Sequence, residues 1–263
     1  MDVDGSALSR EVARLARREA KWRMFLDLIG TAASQMLAMM KGVASMLDRR
    51  FGPNPSEIDH QAQRLEIGVD AYFSADVETD GPIPGPFSIL SFAIVYAGSF
   101  DGARFERPHN YDRTIYKELK PISDNFQEEA LRVNGLDRRR LSLEGESPEK
   151  AMTDACRWVK SNAGRARPVL VAYPLSFDWT WLYWYFIRFS ADGSPFDYSQ
   201  CFDIKTALAV KAAIPISAAG RSRLHSSLLS KHPHTHHALD DAIAQAEIFA
   251  NVFEWEGVRG RTL

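Results

Sequence analysis

Ala71-Tyr72-Phe73-Ser74-Ala75-Asp76-Val77-Glu78-Thr79, then Asp80-Gly81-Pro82-Ile83-Pro84-Gly85-Pro86, then Phe87-Ser88-Ile89-Leu90-Ser91-Phe92-Ala93-Ile94-Val95-Tyr96-Ala97, is the stretch that sets the architecture of this chain. The apolar run 71–77 predicts a buried strand and the Gly/Pro-rich segment a turn. Residues 87–97 predict a second strand, so a hairpin is the simplest connection. Asp76 and Glu78 are one residue apart, which on a strand aims both carboxylates at one face, where they can grip one cation or two adjacent ones. Carboxylates at the end of an interior strand are costly without such a partner. A solvated strand end is the plainer alternative.

Outward from this hairpin, residues 104–107 read as a third strand, and 147–162 as a helix with Ser147 as its cap and Pro148 in its first turn. Residues 168–172 read as a short buried strand, 177–189 as an aromatic-rich helix, and 201–204 as a short strand. Residues 237–255 form a long amphipathic helix with Leu239, Ile243, Ala246, Phe249 and Phe253 on its core side. A meander followed by alternating helices and strands predicts an α/β fold, a mixed sheet with helices on both faces. Upstream, residues 6–50 read as one or two helices ended by Phe51-Gly52-Pro53-Asn54-Pro55. That divides the chain into an N-terminal helical extension, 1–60, and a catalytic domain, 61–263. Met36, Met39, Met40, Val43, Met46 and Leu47 make an apolar stripe suited to the main domain, to a second copy or to a protein partner. Asp27, Gln35 and Lys41 interrupt this region, so stable membrane insertion is not expected; a helix lying on a membrane surface is the other reading of its basic lead-in.

Lys and Arg total 32 against 34 Asp and Glu, so any nucleic-acid partner needs a local basic patch. Arg221, Arg223 and Lys231 supply the best one, with a solvated loop as the alternative. Cys156 and Cys201 form no C-x-x-C pair, which argues against a disulfide framework or a cysteine zinc site and makes a cytoplasmic location the expectation. Asp178 falls near a helix N-terminus, where a carboxylate can offset the helix dipole with no chemical role. Trp179, Trp181, Tyr183, Trp184, Tyr185 and Phe186 supply core, with rings to spare for stacking on bases. In Thr235-His236-His237-Ala238-Leu239-Asp240-Asp241-Ala242, Asp241 lies one turn inside a helix and suits a metal, while His236 precedes the helix and is free to act as a base. Asp240 lies about 100° round the helix and faces solvent or a basic partner. The run His232-Pro233-His234-Thr235-His236-His237 also permits a transition-metal cluster.

The ordered set Asp76-x-Glu78, Phe177-Asp178 and His236-x-Ala238-Leu239-x-Asp241-Ala242 resembles the three motifs of the DEDDh 3′-to-5′ exonucleases, over about residues 70–255. The resemblance implies an RNase H-like fold and two Mg2+ or Mn2+ ions held by Asp76, Glu78, Asp178 and Asp241. It also implies His236 as general base, a single-stranded nucleic acid with a free 3′ end as partner, and nucleoside 5′-monophosphates as products. Thr79, Tyr173 and Phe177 join Arg221, Arg223 and Lys231 as candidates for substrate contact. The chain departs from the family at Tyr173-Pro174, where a His-Asn pair is usual, and no feature separates DNA from RNA. The altered pair favours a second hypothesis, a nucleic-acid-binding or assembly module that kept the fold and lost turnover.

Overall fold

Successive side chains of a strand point to opposite faces of its sheet, and in this protein both faces are covered. The computed structural model describes residues 68–258. β1 (Asp70–Thr79) sends Ala71, Phe73, Ala75 and Val77 into one apolar cluster and Tyr72 into another. β2 (Ile89–Phe100) pairs antiparallel with β1 and, along its other edge, with β3 (Phe105–Glu106) and β4 (Thr114–Glu118). β5 (Arg167–Ala172) runs parallel to β1, and β6 (Cys201–Asp203) parallel to β5. The order is therefore β3-β2-β1-β5-β6, with β4 beside β2.

Six α-helices are described: α1 (Glu128–Asn134), α2 (Arg138–Glu144), α3 (Pro148–Ala163), α4 (Leu175–Phe189), α5 (Ile204–Ala212) and α6 (Ala238–Glu254). The Ser147 side chain caps α3 by accepting from the Lys150 N–H, and Pro148 sits in its first turn, as the sequence predicts. Met152, Ala155 and Cys156 of α3 and Trp181, Leu182, Tyr185 and Phe186 of α4 cover the first face of the sheet. Each large apolar side chain fully buried there contributes roughly 1.5–3 kcal/mol. Ile204 and Leu208 of α5 and Ala242, Phe249 and Val252 of α6 cover the second.

Within α6 the expected stripe is only part of the buried surface. Ala246 and Phe249 are buried and Leu239, Ile243 and Phe253 half-buried, but Ala244, Ile248 and Ala250 are buried as well. The cause is a second cover: Asn251 Nδ2 donates to the carbonyls of Leu228 and Leu229, binding the preceding segment over the helix. Asp80, fully buried at the end of β1, accepts from Arg138 Nε at 2.9 Å and so ties the hairpin loop to α2. Among the described residues no helix is long and apolar enough to cross a membrane. The helical extension expected over 1–60, with its methionine stripe, lies outside the described residues.

Candidate active site

Parallel pairing puts the carboxyl ends of β1 and β5 at the same edge of the sheet, where open α/β sheets place their ligand clefts. The even-numbered residues of β1 face α6: Ser74 Oγ donates to the Ala242 carbonyl at 2.9 Å, and Asp76 Oδ1 accepts from Gln245 Nε2 at 2.6 Å. Glu78 follows on the same side. Asp241, in the first turn of α6, meets them there, and carboxylate oxygens of Asp76, Glu78 and Asp241 lie within 4.8 Å of one another. Asp178 arrives from α4, its Oδ1 accepting the Val77 N–H at 3.1 Å between the two strand carboxylates. The four acidic residues predicted from sequence are thus brought together.

Their crowding is visible in their protonation. Burial, then the charges of Asp178, Glu78 and Asp241, push the Asp76 carboxyl well above the usual range, with Arg221 opposing. Burial and the charges of Asp241 and Asp178 push Glu78 up to about 8. Burial raises Asp178 to about 7, against the pull of the Val77 N–H, its own N–H and Arg221. Four oxygen donors with one arginine nearby are short of positive charge, and that donor set fits hard divalent ions. A carboxyl whose folded pKa lies above its unfolded value favours folding while protonated, and that contribution disappears as pH rises through the folded value. Without metal, the protein is therefore expected to melt higher at about pH 5.5 than at about pH 8.5, with Mn2+ raising the melting temperature more at the upper pH. Melting in chelator across this range checks it; a melting temperature that climbs toward pH 8.5 would remove the crowding argument.

Asp241 also organises the loop before α6. Its Oδ1 accepts from Thr235 N at 3.1 Å and lies 2.6 Å from His234 Nδ1, while Oδ2 accepts from His236 N at 3.0 Å. These contacts hold His236 at φ +56°, in the left-handed region, with its side chain exposed. Asp240 is exposed and accepts from Thr235 Oγ1, apart from the cluster as expected. His237 turns away to stack on Tyr116, ring centroids 4.9 Å apart.

Among the substrate-contact candidates, Thr79 and Phe177 line a cavity of about 320 Å³ beside Glu78, opposite Gln127, Val133 and Asn134 of the α1 region. Phe177 is 41% exposed, so its ring is available for stacking. Tyr173 is buried, and its hydroxyl donates to the Ala219 carbonyl at 2.8 Å, while the Arg221 guanidinium carbon sits 5.7 Å from its ring centroid. This is how the unusual Tyr173-Pro174 pair is used: the tyrosine anchors the segment that delivers Arg221 to the carboxylates. Pro174 cannot cap α4 with a side chain, and Asp203 does so from the next strand, accepting the Leu175 N–H at 3.1 Å. Arg223 and Lys231 are exposed, and of the three basic candidates it is Arg221 whose charge bears on Asp76 and Asp178.

Two contributors were not singled out in the sequence, and a third, His234, entered only as a member of the histidine run. Asn134 Nδ2 donates to the Thr79 carbonyl at 3.0 Å and fixes the cavity wall. His234 touches Asp241. Gln245 orients Asp76, and its own Oε1 has no partner among the described residues. Gln245 carries a readable signal: a polar residue four positions after Asp241 shares that residue's helix face, on a helix otherwise apolar inward.

The mixed sheet and its flanking helices, with four carboxylates converging at one edge, make up a fold that solved 3′-exonucleases share. The nuclease domain of a 3′-exonuclease described as a DEDDh family member, bound to rAMP, shares this fold: TM-score 0.51 at 12% identity, over 73% of this chain and 96% of that one. A 3′-exonuclease solved in recognition of a histone mRNA stem-loop aligns with TM-score 0.51 at 12% identity, over 77% of this chain and 72% of its own. The chain belongs to the Rv2179c-like 3′-5′ exoribonuclease domain family, whose pattern matches residues 73–253. It is also similar to the 3′-5′ DNA exonuclease Cap18 of Escherichia coli, 34% identical over 191 residues that span 70% of this chain and 92% of the relative.

Proposed function

We propose that this exonuclease removes nucleotides from the free 3′ end of a single strand, with two Mg2+ or Mn2+ ions at Asp76, Glu78, Asp178 and Asp241 and with His236 as general base. The observation that carries the reading is the meeting of four carboxylates from β1, α4 and α6 beneath an exposed histidine at the start of α6. When bound, the ions supply the positive charge that offsets the repulsion between a phosphodiester and an incoming nucleophile. The chain's own part is to hold the donors in place beforehand: Gln245 fixes Asp76, the Val77 N–H fixes Asp178, and the loop N–H groups of Thr235 and His236 fix Asp241. Such preorganisation avoids reorganisation during reaction. Among the described residues His236 is hydrogen-bonded through its backbone N–H, which leaves its imidazole to take the proton of the attacking water.

Arg221 faces the phosphate, and Arg223 and Lys231 extend the positive path along the strand. The cavity between Thr79 and Phe177 takes the terminal base, with the Phe177 ring as its stacking surface. The family is described as exoribonuclease and the Escherichia coli relative as a DNA exonuclease; the same phosphodiester is broken in both, and contact with a 2′-OH is what separates them. End-labelled DNA and RNA strands test the whole reading. With Mg2+ or Mn2+, a 3′ label should leave at once as a 5′-mononucleotide, while a 5′-labelled strand shortens as a ladder. Early release of the 5′ label, or full activity in chelator, would overturn it.

A further inference from the structure

We propose that His234, His236 and Asp241 form a second cation site, selective for a borderline transition ion of the zinc class, through which such an ion shuts the enzyme down. Donor atoms of these three residues lie within 4.8 Å of one another. The set overlaps the oxygen-only group Asp76, Glu78 and Asp241 at a single member, the Asp241 carboxylate. The two groups differ in chemistry. Oxygen donors suit Mg2+ and Mn2+, whereas two imidazole nitrogens and one carboxylate match zinc, with a fourth position left open to water.

The local geometry points to a cation as well. His234 Nδ1 lies 2.6 Å from Asp241 Oδ1 and also 3.0 Å from Arg221 Nη1. One ring nitrogen carries either a proton or a lone pair, so it cannot both donate to the carboxylate and accept from the guanidinium. At 2.6 Å these two atoms stand at hydrogen-bond distance, so a cation bound by both must spread them apart, and in doing so it takes a lone pair from each and releases Arg221. The two rings are neighbours, with centroids 4.4 Å apart, and both side chains are reached by solvent. The rest of the histidine run is placed otherwise: His232 is exposed and contributes no donor to the group, and His237 is stacked on Tyr116. The cluster suggested by the run thus reduces to two imidazoles, and its third ligand is the carboxylate five residues beyond the second.

An ion held there occupies the imidazole that takes the proton and competes for a carboxylate of the hard-ion site. The inhibitory effect rests on the function proposed above; the binding does not. Divalent affinity at nitrogen donors rises toward zinc, so the site should fill while Mg2+ is in large excess.

The test is calorimetric titration of Zn2+ into the full chain saturated with Mg2+, alongside zinc inhibition of the Mg2+-supported nuclease. Wild type is expected to bind a single zinc per chain under these conditions. His234→Gln should weaken binding, and raise the inhibitory zinc concentration in step, by at least about tenfold, the lower end of what loss of even a supporting partner costs a metal site. His232→Gln should change neither. Zinc bound equally by wild type and His234→Gln would place the ion among the carboxylates alone and overturn the site. Should His234→Gln melt early, Co2+ added to wild type decides instead: an intense visible band reports low-coordinate nitrogen ligation, and only the weak spectrum of octahedral oxygen ligation overturns the site. Zinc that binds through His234 yet leaves turnover untouched would overturn the inhibitory role, and would fault the reading of His236 as base rather than the ligand set.

Discussion

Asp76→Asn is expected to change activity and stability in opposite directions, cutting turnover by about 10³-fold, or about 4 kcal/mol of transition-state stabilisation, while raising the melting temperature of the metal-free protein. The loss follows from the position of Asp76, which shares its strand face with Glu78 and meets Asp241 from α6. Replacing one donor of that group takes away charge where positive ions must sit. The gain has a different cause. Burial and three neighbouring carboxylates hold the Asp76 carboxyl far above its ordinary range, and an amide of the same shape removes that repulsion while its carbonyl still accepts from Gln245. Mn2+ should stabilise wild type and stabilise the variant much less, because a ligand raises stability only through its affinity for the folded state. Single-turnover assays and melts with and without Mn2+ measure all three effects. Undiminished turnover would remove Asp76 from the ion set, and a lower metal-free melting temperature would contradict the repulsion.

The parts of the fold that were legible from sequence are those with their own punctuation or period. β1 and β2 are apolar runs separated by a segment rich in glycine and proline, α3 begins with a serine cap and a proline, and α6 repeats its apolar residues every three to four positions. The site follows from the same rules, since alternation places Asp76 and Glu78 together and helix spacing presents Asp241 beside them. α1 and α2 left no such trace. Each has seven residues, α1 buries none and α2 only Leu141, so neither writes an apolar period, although α1 walls the cavity beside Glu78. β4 is half-buried along its whole length and shows no inside-outside contrast. Other roles depend on contacts that no local pattern encodes: Gln245 reaches Asp76 across 169 positions, and Tyr173 reaches Ala219 across 46. The second contact gives Tyr173 a structural task beside the site where the carboxylates converge. Arg221 is carried in by the segment that Tyr173 anchors.

His236→Asn and His236→Ala, compared as a pair, separate chemistry from folding at the second half of the mechanism. Both should lower turnover by about 10²- to 10⁴-fold, the range contributed by a positioned acid or base. Their stabilities should differ. His236 sits at φ +56°, a conformation that asparagine adopts readily and alanine only at a cost of roughly 1–2 kcal/mol. The backbone N–H that bonds Asp241 Oδ2 survives in both, so the loop stays closed over the carboxylate. Arg221 and the Thr79–Phe177 cavity are untouched, so KM should stay near the wild-type value while kcat falls. A stably folded His236→Asn protein with full metal-dependent turnover would mean that the proton goes elsewhere, and the exposed imidazole above the four carboxylates would need another role.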